Sequence, residues 1–426
     1  MAYTFSGGLD LSSSSRIPNG KITKLPDPER IVLRAPDDGV TLFECAVSPG
    51  EAVAAYQSVG SFIDRGDVIP VYSGIAGRVS EILTEKDRTV GVVIESDGSG
   101  RRAELAGFDG TLDGLSPEMI CDILKNAAIP CRGSAGWIFR RILATEGKTS
   151  RFILNCCESE PGVTGRRARV CEDPGTVISG VKLLMRALDV RRCEMAAEKD
   201  SPVCDVLLPL IRKDPLFELR KVKRKYPQDE ELSLIYAVTG VRLSDAGHPE
   251  RSLCCVIDAE TAAAAYRAVV YGVPYCETVV SVGDSNVICP VGVPVSEILD
   301  YCSVDHERAE RIVLGGLLRG RACKNADEPT DNLTDAVSVI YAKDGKAIPE
   351  MSPCTHCGRC VAVCPSKIMP YCLAAMSMKK KYRVCADYSV NACTGCGCCD
   401  FVCPAYIPIK KLIKQAKQRL SINTEE

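Results

Sequence analysis

The sequence predicts a multidomain α/β protein, and three stretches of its 426 residues support that prediction. Residues 1–106 contain short apolar runs between glycine, proline and aspartate, a pattern typical of β-strands. Residues 107–250 alternate strand-like and helix-like segments, which indicates a parallel sheet covered by helices on both faces. The last stretch carries two closely spaced runs of cysteine. A chain of this length has room for about two to four domains.

Composition and charge narrow the functional classes. The net charge is −2, so the overall charge does not indicate a nucleic-acid-binding protein. No apolar run approaches the ~18 residues that a transmembrane helix needs, and the N-terminal residues lack the pattern of a signal peptide. We therefore expect a cytoplasmic protein, or one peripheral at the cytoplasmic face of a membrane. The 25 cysteines, without a secretion signal, indicate a reducing and anaerobic cytoplasm rather than a disulfide framework.

The first 106 residues are predicted to form a β-rich barrel-sandwich module. Candidate strands are Ile31–Arg34, Val68–Tyr72 and Val90–Ile94. Residues Ser73–Leu83 form a turn followed by alternating apolar positions, as in the hairpin of a small lipoyl-like barrel. No lysine lies at that turn to carry a covalent prosthetic group, so we expect a structural or docking role.

The middle of the chain predicts an α/β domain over residues 107–250. Ser116, Pro117 and Glu118 are typical of a helix start, with Ser116 as N-cap and proline at the first helical position. A strand, Arg151–Asn155, ends at the acidic segment that contains Glu158 and Glu160. Further expected elements are helices near Pro174–Leu188, Val203–Arg212 and Glu230–Val238, and strands near Arg192–Ala197 and Phe217–Val222.

Two smaller regions follow. Residues 251–326, with a helix over Glu260–Tyr271 and strand-like runs up to Gly316, predict a β-grasp-like unit. Residues 327–350 are largely polar and are predicted to be a linker to a C-terminal domain over residues 351–426. That last domain ends in a basic amphipathic helix, Ile409–Leu420, which we expect to pack on its own domain.

The most specific motif is the duplicated cysteine run. Each copy has cysteines separated by two, two and three residues, and each ends in Cys-Pro. This is the spacing of bacterial ferredoxins with two 4Fe-4S clusters, in which the last cysteine of each run binds the other cluster. The predicted ligands are Cys354, Cys357, Cys360 and Cys403 for one cluster, and Cys393, Cys396, Cys399 and Cys364 for the other.

The alternative for these cysteines is a pair of zinc ribbons, because paired cysteines two residues apart also bind zinc. A ribbon does not account for the third cysteine or for the proline that ends both copies. Cys398 lies outside the pattern, and we expect it to be a buried thiol beside a cluster.

The order of these features resembles RnfC, the NADH-oxidising, flavin-bearing subunit of Rnf electron-transport complexes. The residues that carry the resemblance are Ser6-Gly7-Gly8-Leu9, the glycine loop after Cys131, the Asn155 to Pro161 segment, the Val280–Gly316 unit (of SLBB type) and the two cysteine runs. The resemblance covers nearly the whole chain, and its middle is also similar to the NADH-oxidising subunit of respiratory complex I.

The resemblance implies a site for FMN and NADH in the middle domain. Backbone N–H groups of the glycine loop, Gly133, Ser134, Ala135 and Gly136, would approach the flavin, while Asn155, Glu158 and Glu160 would line the flavin and nicotinamide face. Small residues before a helix suit a phosphate, because they let the backbone come close and offer free N–H donors.

The chain departs from the family at two places. After the glycine loop it has Trp137-Ile-Phe-Arg140-Arg141, where the family has an aromatic residue, proline, threonine and lysine. After Pro161 it is unusually basic, and Arg166 and its neighbours are either a phosphate-binding group or a solvated face. Cys131 opens the glycine loop. It is either a structural cysteine or a catalytic redox thiol whose pKa is lowered at a helix N-terminus.

The leading hypothesis is an electron-transfer oxidoreductase that passes electrons from NADH through FMN and two 4Fe-4S clusters to a partner reductase or other redox protein. The altered loop favours the soluble, proline-reductase-associated branch of the family. One alternative is a non-enzymatic relay or docking subunit that has lost NADH oxidation. A third is a peripheral subunit bound to Rnf membrane subunits. The sequence leaves the oligomeric state open.

Overall fold

The N-terminal region of the structure, a computed structural model, is built from short strands. The residues described are 2–11, 21–110, 112–132, 136–145, 147–243, 253–342 and 350–422. The first eight strands are β1 (Ile22–Lys24), β2 (Arg30–Arg34), β3 (Leu42–Cys45), β4 (Ala52–Val53), β5 (Ser58–Asp64), β6 (Asp67–Tyr72), β7 (Gly77–Glu85) and β8 (Arg88–Ser96).

Seven of these strands form two antiparallel sheets that share one apolar core. One sheet has the order β2-β8-β7-β4 and the other the order β3-β5-β6. Ile31 and Val92 from the first sheet lie in the same buried cluster as Phe43 and Val71 from the second. The three strands expected in this region coincide with parts of β2, β6 and β8, so the β prediction is confirmed for them.

The middle region is a parallel sheet with helices on both faces. Its elements are α1 (Pro117–Asn126), β9 (Pro130–Cys131), β10 (Gly136–Trp137), α2 (Ile138–Thr145), β11 (Arg151–Asn155), α3 (Gly165–Glu172), α4 (Pro174–Ala187), β12 (Cys193–Glu198), α5 (Pro202–Ile211), β13 (Phe217–Val222), α6 (Glu231–Thr239), β14 (Cys254–Asp258) and α7 (Ala259–Tyr271). The sheet order is β13-β12-β11-β14, and every pairing is parallel.

Helix starts in this region follow the expected capping chemistry. The Ser116 hydroxyl accepts a 3.2 Å hydrogen bond from the Met119 N–H at the start of α1. The Asp173 carboxylate accepts one of 3.1 Å from the Thr176 N–H at the start of α4. Such bonds satisfy N–H groups that have no partner within the helix. The helices and strands predicted here are confirmed, whereas α2 and α3 were not predicted.

A mixed six-stranded sheet follows in the chain. Its further elements are β15 (Glu277–Val282), β16 (Ser285–Pro290), α8 (Val295–Tyr301), β17 (Ala309–Leu314), β18 (Arg321–Ala322) and β19 (Ala336–Tyr341), and the strand order is β1-β16-β15-β19-β17-β18. The predicted linker at 327–350 is therefore wrong in part. Residues of β19 lie inside this sheet, because Ala336 and Val337 are buried between β15 and β17.

The C-terminal region consists of short helices around the cysteine runs. They are α9 (Arg359–Ala362), α10 (Pro370–Met378), α11 (Tyr382–Asp387), α12 (Cys398–Phe401) and α13 (Ile409–Ile422). Ile409, Ile413 and Ala416 of α13 are buried in one cluster with Leu373 of α10. The expected packing of the last helix on its own domain is therefore confirmed.

Residues 2–11 connect the middle region to the C-terminal region, and we call them the N-terminal strap. Tyr3 pairs with the end of β13, since its N–H donates to the Lys221 carbonyl at 2.9 Å. Leu9 pairs with Tyr226 in both directions, at 2.8 and 3.0 Å. The Gly8 N–H donates to the Val363 carbonyl at 2.7 Å. The segment Ser6–Leu9, which we expected to open the N-terminal barrel, therefore lies elsewhere.

Candidate functional site

The carboxyl ends of the parallel strands mark the first part of the site. The chain runs from β11 to β12 and β13 in one direction and later adds β14 on the opposite side of β11. Asn155 and Asp258 end β11 and β14 and are partners in the sheet register. Ligands of open α/β sheets bind outside the carboxyl ends of strands where the strand order reverses. The acidic segment after Asn155 begins at this place.

Asn155 holds the segment that follows it. Its amide nitrogen donates to the Asp229 carbonyl at 2.9 Å, and its amide oxygen accepts from the Cys157 N–H at 3.0 Å. The side chain is buried. Asn155 therefore connects the ends of two crossovers, and its hydrogen bonds go to the protein backbone.

Glu158 is a buried carboxyl group with one oxygen engaged and one free. Its Oε1 accepts from the Arg166 N–H at 2.5 Å, while its Oε2 has no hydrogen-bond partner among the described residues. The nearest cation to that oxygen is Arg167, 3.9 Å away. Burial raises the pKa of Glu158 to about 7, against the opposing effect of Arg167 and Arg166.

Glu160 belongs to a buried ion-pair network. Its Oε1 accepts from the N–H groups of Leu318 and Arg319 at 2.7 and 3.1 Å, and its Oε2 lies 2.8 Å from the Arg319 Nε. The same guanidinium also donates to Asp229. Burial raises the pKa of Glu160. Burial also favours the neutral form of Asp229, but Arg319 and Arg166 outweigh it and lower the pKa of that group.

Gly316 allows the loop after β17 to approach Glu160. A Cβ atom at this position would lie 2.0 Å from the Glu160 Cγ, far inside van der Waals contact. Only glycine fits this approach without displacing the carboxylate. The two glycines after β17 therefore bring Leu318 and Arg319 to the acidic segment.

The arginines after Pro161 are engaged in ion pairs. Arg166 donates to the Cys157 carbonyl at 3.1 Å and lies 3.5 Å from Asp229, and its Nε is buried without a hydrogen-bond partner among the described residues. Arg169 pairs with the buried Glu260 at 2.7 Å. These side chains are not a solvated face, because both arginines are buried.

The predicted glycine loop is described only at its flanks, since Gly133, Ser134 and Ala135 lie outside the described residues. On one flank, Arg132 lies 3.0 Å from Asp335 and 3.8 Å from Asp258. On the other flank, Gly136 has a positive φ of 70° with open space on its Cβ side. Both flanks thus lie near the carboxyl end of β14.

The expected lowering of the Cys131 pKa is wrong. Cys131 lies in the short strand β9 and is only 2% exposed. Burial raises the pKa of its thiol to about 12. Cys131 is therefore protonated at neutral pH, which lacks the reactivity of a thiolate.

The second part of the site is a set of cysteines that we call the inner cysteine group, comprising Cys364, Cys393, Cys396 and Cys399. All four line one cavity of about 350 Å³. Cys364 comes from the first run and the other three from the second, so the structure brings together the four residues that the spacing assigns to one cluster. Cys398 lies beside this group and is 1% exposed, in agreement with the expected buried thiol.

The inner cysteine group adjoins the middle region and the strap. The Tyr226 hydroxyl donates to the Cys396 carbonyl. The Lys410 ammonium donates to the Leu318 carbonyl at 2.8 Å, so Leu318 contacts both Glu160 and the C-terminal region. A Cβ on Gly7 would lie 2.6 Å from the Cys364 carbonyl oxygen, which keeps the strap in close contact with this group.

The remaining predicted ligands form the outer cysteine group, namely Cys354, Cys357, Cys360 and Cys403. Cys354 and Cys357 are exposed, Cys360 is buried and Cys403 is half-buried. Cys360 is close enough to Cys354 and Cys357 to affect their ionisation. The two chain segments meet where the Ser352 N–H donates to the Ala405 carbonyl at 3.0 Å.

The cysteine geometry bears on the zinc alternative. A single Zn²⁺ draws its sulfur ligands to about 2.3 Å from one point. In the described part of the chain, no three His, Cys, Asp or Glu side chains converge in that way. The cysteines are instead arranged around a cavity.

The residues that the sequence analysis missed are those that join the two parts of the site. They are Tyr226, Asp229, Leu318, Arg319 and Lys410. The only sequence signal was the pair Gly315-Gly316 at the end of a strand, since consecutive glycines often mark a close backbone approach.

Comparison with known proteins relates the middle region to flavin-binding domains. Residues 124–267 match the family of the Nuo51 FMN-binding domain. Over 404 residues the chain is 27% identical to the RnfC-type subunit of the Na(+)-translocating ferredoxin:NAD(+) oxidoreductase complex of Acetobacterium woodii, covering 90% of this chain and 89% of that protein. The chain thus has an FMN-binding domain and a cysteine-rich C-terminal region of the kind that holds 4Fe-4S clusters.

Two further relatives have similar descriptions. The corresponding subunit of the proton-translocating ferredoxin:NAD(+) oxidoreductase complex of Clostridium ljungdahlii is 26% identical over 90% of this chain and 86% of its own length. The corresponding subunit of the ion-translocating oxidoreductase complex of Cronobacter sakazakii is 26% identical over the whole of this chain, which spans 56% of that longer protein.

A solved structure of an NAD+-reducing [NiFe]-hydrogenase in the H2-reduced state has a TM-score of 0.48 and 15% identity, covering 74% of this chain and 64% of its own. None of the described helices is long and apolar enough to span a membrane.

Proposed function

We propose that this chain, which belongs to the RnfC-like electron-transport proteins, passes electrons from NADH through FMN and two 4Fe-4S clusters to a partner redox protein. FMN supplies the conversion of a two-electron donor into single electrons, which iron–sulfur clusters accept one at a time. The protein contributes the binding sites and the contact between them.

The flavin would bind outside the carboxyl ends of β11 and β14. Gly133, Ser134, Ala135 and Gly136 would offer backbone N–H groups to it, with Asn155, Glu158 and Glu160 on the neighbouring segment. The free Oε2 of Glu158 and the free Nε of Arg166 support this proposal, because buried polar atoms without partners are rare and mark places where another group binds. Arg166 would then supply a donor for a phosphate or a ring carbonyl.

The inner and outer cysteine groups would each hold one 4Fe-4S cluster. The cavity lined by Cys364, Cys393, Cys396 and Cys399 supports the inner site, since a cubane needs sulfur ligands spread around a volume. By the same spacing, Cys354, Cys357, Cys360 and Cys403 would hold the outer cluster. We propose residues 351–426 as a two-cluster ferredoxin-like domain on these grounds.

The other domain assignments are proposals of the same kind. The paired sheets within residues 1–106 support a lipoyl-like barrel-sandwich module. Residues 107–250 would be the flavin and NADH domain. Its β14 and α7 extend past residue 250, and the sheet that contains β15 to β19 supports an SLBB-type unit.

One observation carries the proposed function. Leu318 donates its N–H to Glu160 in the acidic segment and accepts at its carbonyl from Lys410 beside the inner cysteine group. A single residue therefore spans the distance between the two proposed redox sites. Tyr226 adds a second short connection, from the region of Asp229 to Cys396.

A relay without NADH oxidation is the second candidate. It is favoured by the side chains of Asn155 and Glu160, whose hydrogen bonds go to protein groups rather than toward open space. The acceptor would be a soluble reductase, such as a proline reductase system, or the membrane subunits of an Rnf complex. The relatives' descriptions favour the second acceptor, and the altered glycine loop favours the first.

Anaerobic purification tests the proposal. We expect about eight iron atoms per chain, FMN in the supernatant after denaturation, and reduction of an artificial one-electron acceptor that depends on NADH. Clusters without FMN or NADH activity would support the relay. Bound zinc in place of iron would contradict both candidates.

A Glu158→Gln variant sharpens the test of the flavin site. We expect it to retain full iron content and to lose bound FMN or NADH-dependent acceptor reduction. The matched control is Glu81→Gln, at an exposed position of β7. Equal FMN content and activity in the two variants would remove Glu158 from the proposed site.

A further inference from the structure

The C-terminal region differs sharply in charge from the rest of the chain. Residues 351–422 contain two acidic side chains, Asp387 and Asp400, against eleven basic ones, which are Arg359, Lys367, Lys379, Lys380, Lys381, Arg383, Lys410, Lys411, Lys414, Lys417 and Arg419. The whole chain has a net charge of −2, so the remainder is strongly acidic. The thiolates of bound clusters would offset only part of this local positive charge.

Most of these basic side chains are exposed and free of ion pairs. Lys410 and Lys417 are half-buried and donate to the Leu318 and Cys393 carbonyls. The other nine are exposed, and none of them forms an ion pair with a described residue. Their charges do not stabilise the fold through pairing, and they create a positive field around the cysteine groups.

Exposed apolar side chains lie at the outer cysteine group. Met351, Phe401 and Tyr406 are 56%, 60% and 54% exposed, and each is within three residues of Cys354 or Cys403. The Tyr406 N–H donates to the Cys403 carbonyl at 3.3 Å, and Ser352 next to Met351 pairs with Ala405. Large apolar groups inside a charged surround are typical of the centre and rim of a protein–protein interface.

We propose that the outer cysteine group is the docking site of an acidic electron-carrier protein, which lysine and arginine side chains of residues 351–422 attract and which Met351, Phe401 and Tyr406 contact. The inference rests on the proposed function, because it needs a redox centre at the outer cysteines. Charge complementarity selects the partner: a carrier with acidic residues around its own exposed redox centre fits this surface, and a basic carrier does not. The transfer moves one electron from the reduced outer cluster to the carrier.

The experiment uses the holoprotein reduced with dithionite and freed of excess reductant, so that it does not depend on NADH oxidation. A purified acidic flavodoxin is the probe, and basic cytochrome c is the probe of opposite charge. Oxidation of the clusters is followed by stopped-flow absorbance at several salt concentrations. We expect the rate with flavodoxin to fall about ten- to a hundredfold between low and high salt, since electrostatic steering raises association rates by roughly 10 to 1,000-fold. We expect no such fall with cytochrome c.

Charge reversal separates this surface from a general charge effect. The variant Lys379→Glu, Lys380→Glu, Lys381→Glu is expected to lower the low-salt rate with flavodoxin about tenfold or more. The matched control changes three exposed basic residues of the N-terminal sheets, Arg65→Glu, Lys86→Glu and Arg88→Glu, and is expected to change the rate less than twofold. Iron content must be equal in both variants.

A Phe401→Ser variant tests the apolar centre. It is expected to lower the flavodoxin rate several-fold at every salt concentration, because its effect does not depend on charge. Equal rates for the two charge variants, or salt-independent transfer by protein with intact clusters, would overturn the inference while leaving the proposed function in place. Salt-sensitive binding to vesicles with anionic lipid, with flavodoxin transfer unaffected by charge reversal, would instead assign the basic surface to a membrane. Protein that contains no clusters would contradict the proposed function itself.

Discussion

The two cysteine groups share one sequence motif but lie in different surroundings. The inner group lines a cavity and has protein contacts from the middle region, from the strap and from α13. The outer group has two exposed cysteines and exposed apolar neighbours. The potential of an iron–sulfur cluster depends on solvent exposure and on hydrogen bonds near its sulfurs. Equal spacing therefore does not imply equal chemistry, and the surroundings assign the inner group to internal contacts and the outer group to a partner.

The strongest way to break this comparison is to remove one ligand from each group. Cys396→Ser and Cys357→Ser are each expected to lower the iron content from about eight atoms to about four. In single-turnover reduction by NADH, the Cys357 variant is expected to keep the signal of the inner cluster and to lose transfer to a protein acceptor. The Cys396 variant is expected to lose both. Identical spectra and identical kinetics in the two variants would show that the groups are equivalent.

The next largest effect concerns the ion pairs beside the inner group. Arg319→Met leaves the buried carboxylates of Glu160 and Asp229 without their shared cation, and breaking a buried pair in this way costs about 3–5 kcal/mol. The midpoint of denaturant unfolding measures the loss. Arg308→Met, which breaks an exposed pair with Asp305, serves as the control and is expected to cost less than about 1 kcal/mol. A loss no greater than that of the control would mean that the network does not stabilise the fold.

The pH dependence of stability tests the surroundings of Glu158. Its pKa is raised from 4.5 to about 7 in the folded chain. Between these values the folded state holds a proton that the unfolded state has released, so this group's contribution to stability falls as the pH rises from 4.5 to about 7. The expected decline relative to Glu158→Gln is on the order of 2–3 kcal/mol, since one pKa unit corresponds to about 1.4 kcal/mol. Parallel pH profiles of wild type and variant would contradict the raised pKa.

The smallest expected effect sharpens the comparison most directly. Tyr226→Phe removes the hydrogen bond to the Cys396 carbonyl, and a single bond of this kind contributes about 0.5–1.5 kcal/mol. We expect a measurable shift in the potential of one cluster in a redox titration followed by EPR, with the other unchanged. Tyr406→Phe, at the outer group, is the control and is expected to shift neither potential. A shift of both clusters by Tyr226→Phe would indicate a general change in the domain rather than a local contact.

The parts of the molecule that sequence could predict are those with local chemistry. Cluster ligands must lie on one tight loop, so the spacing of the cysteines was visible, and the strand ending at Asn155 was bounded by a change in period. The bridge between the sites was not visible. Glu160 and Arg319 are 159 positions apart and Arg319 and Asp229 are 90 apart, and no periodic pattern records such a pairing. The direction of the Cys131 pKa was also missed, because burial depends on the packing of distant helices around β9.

The strap has a consequence for the order in which the molecule assembles during synthesis. Residues 2–11 leave the ribosome first, yet the surfaces that they join, around Tyr226 and around Val363 and Cys364, appear much later in translation. The first residues must therefore wait unpaired while the sheets fold and the metal ligands emerge. Their docking is a late event, which leaves the cysteine-rich region accessible to iron delivery before the two ends of the chain close on each other.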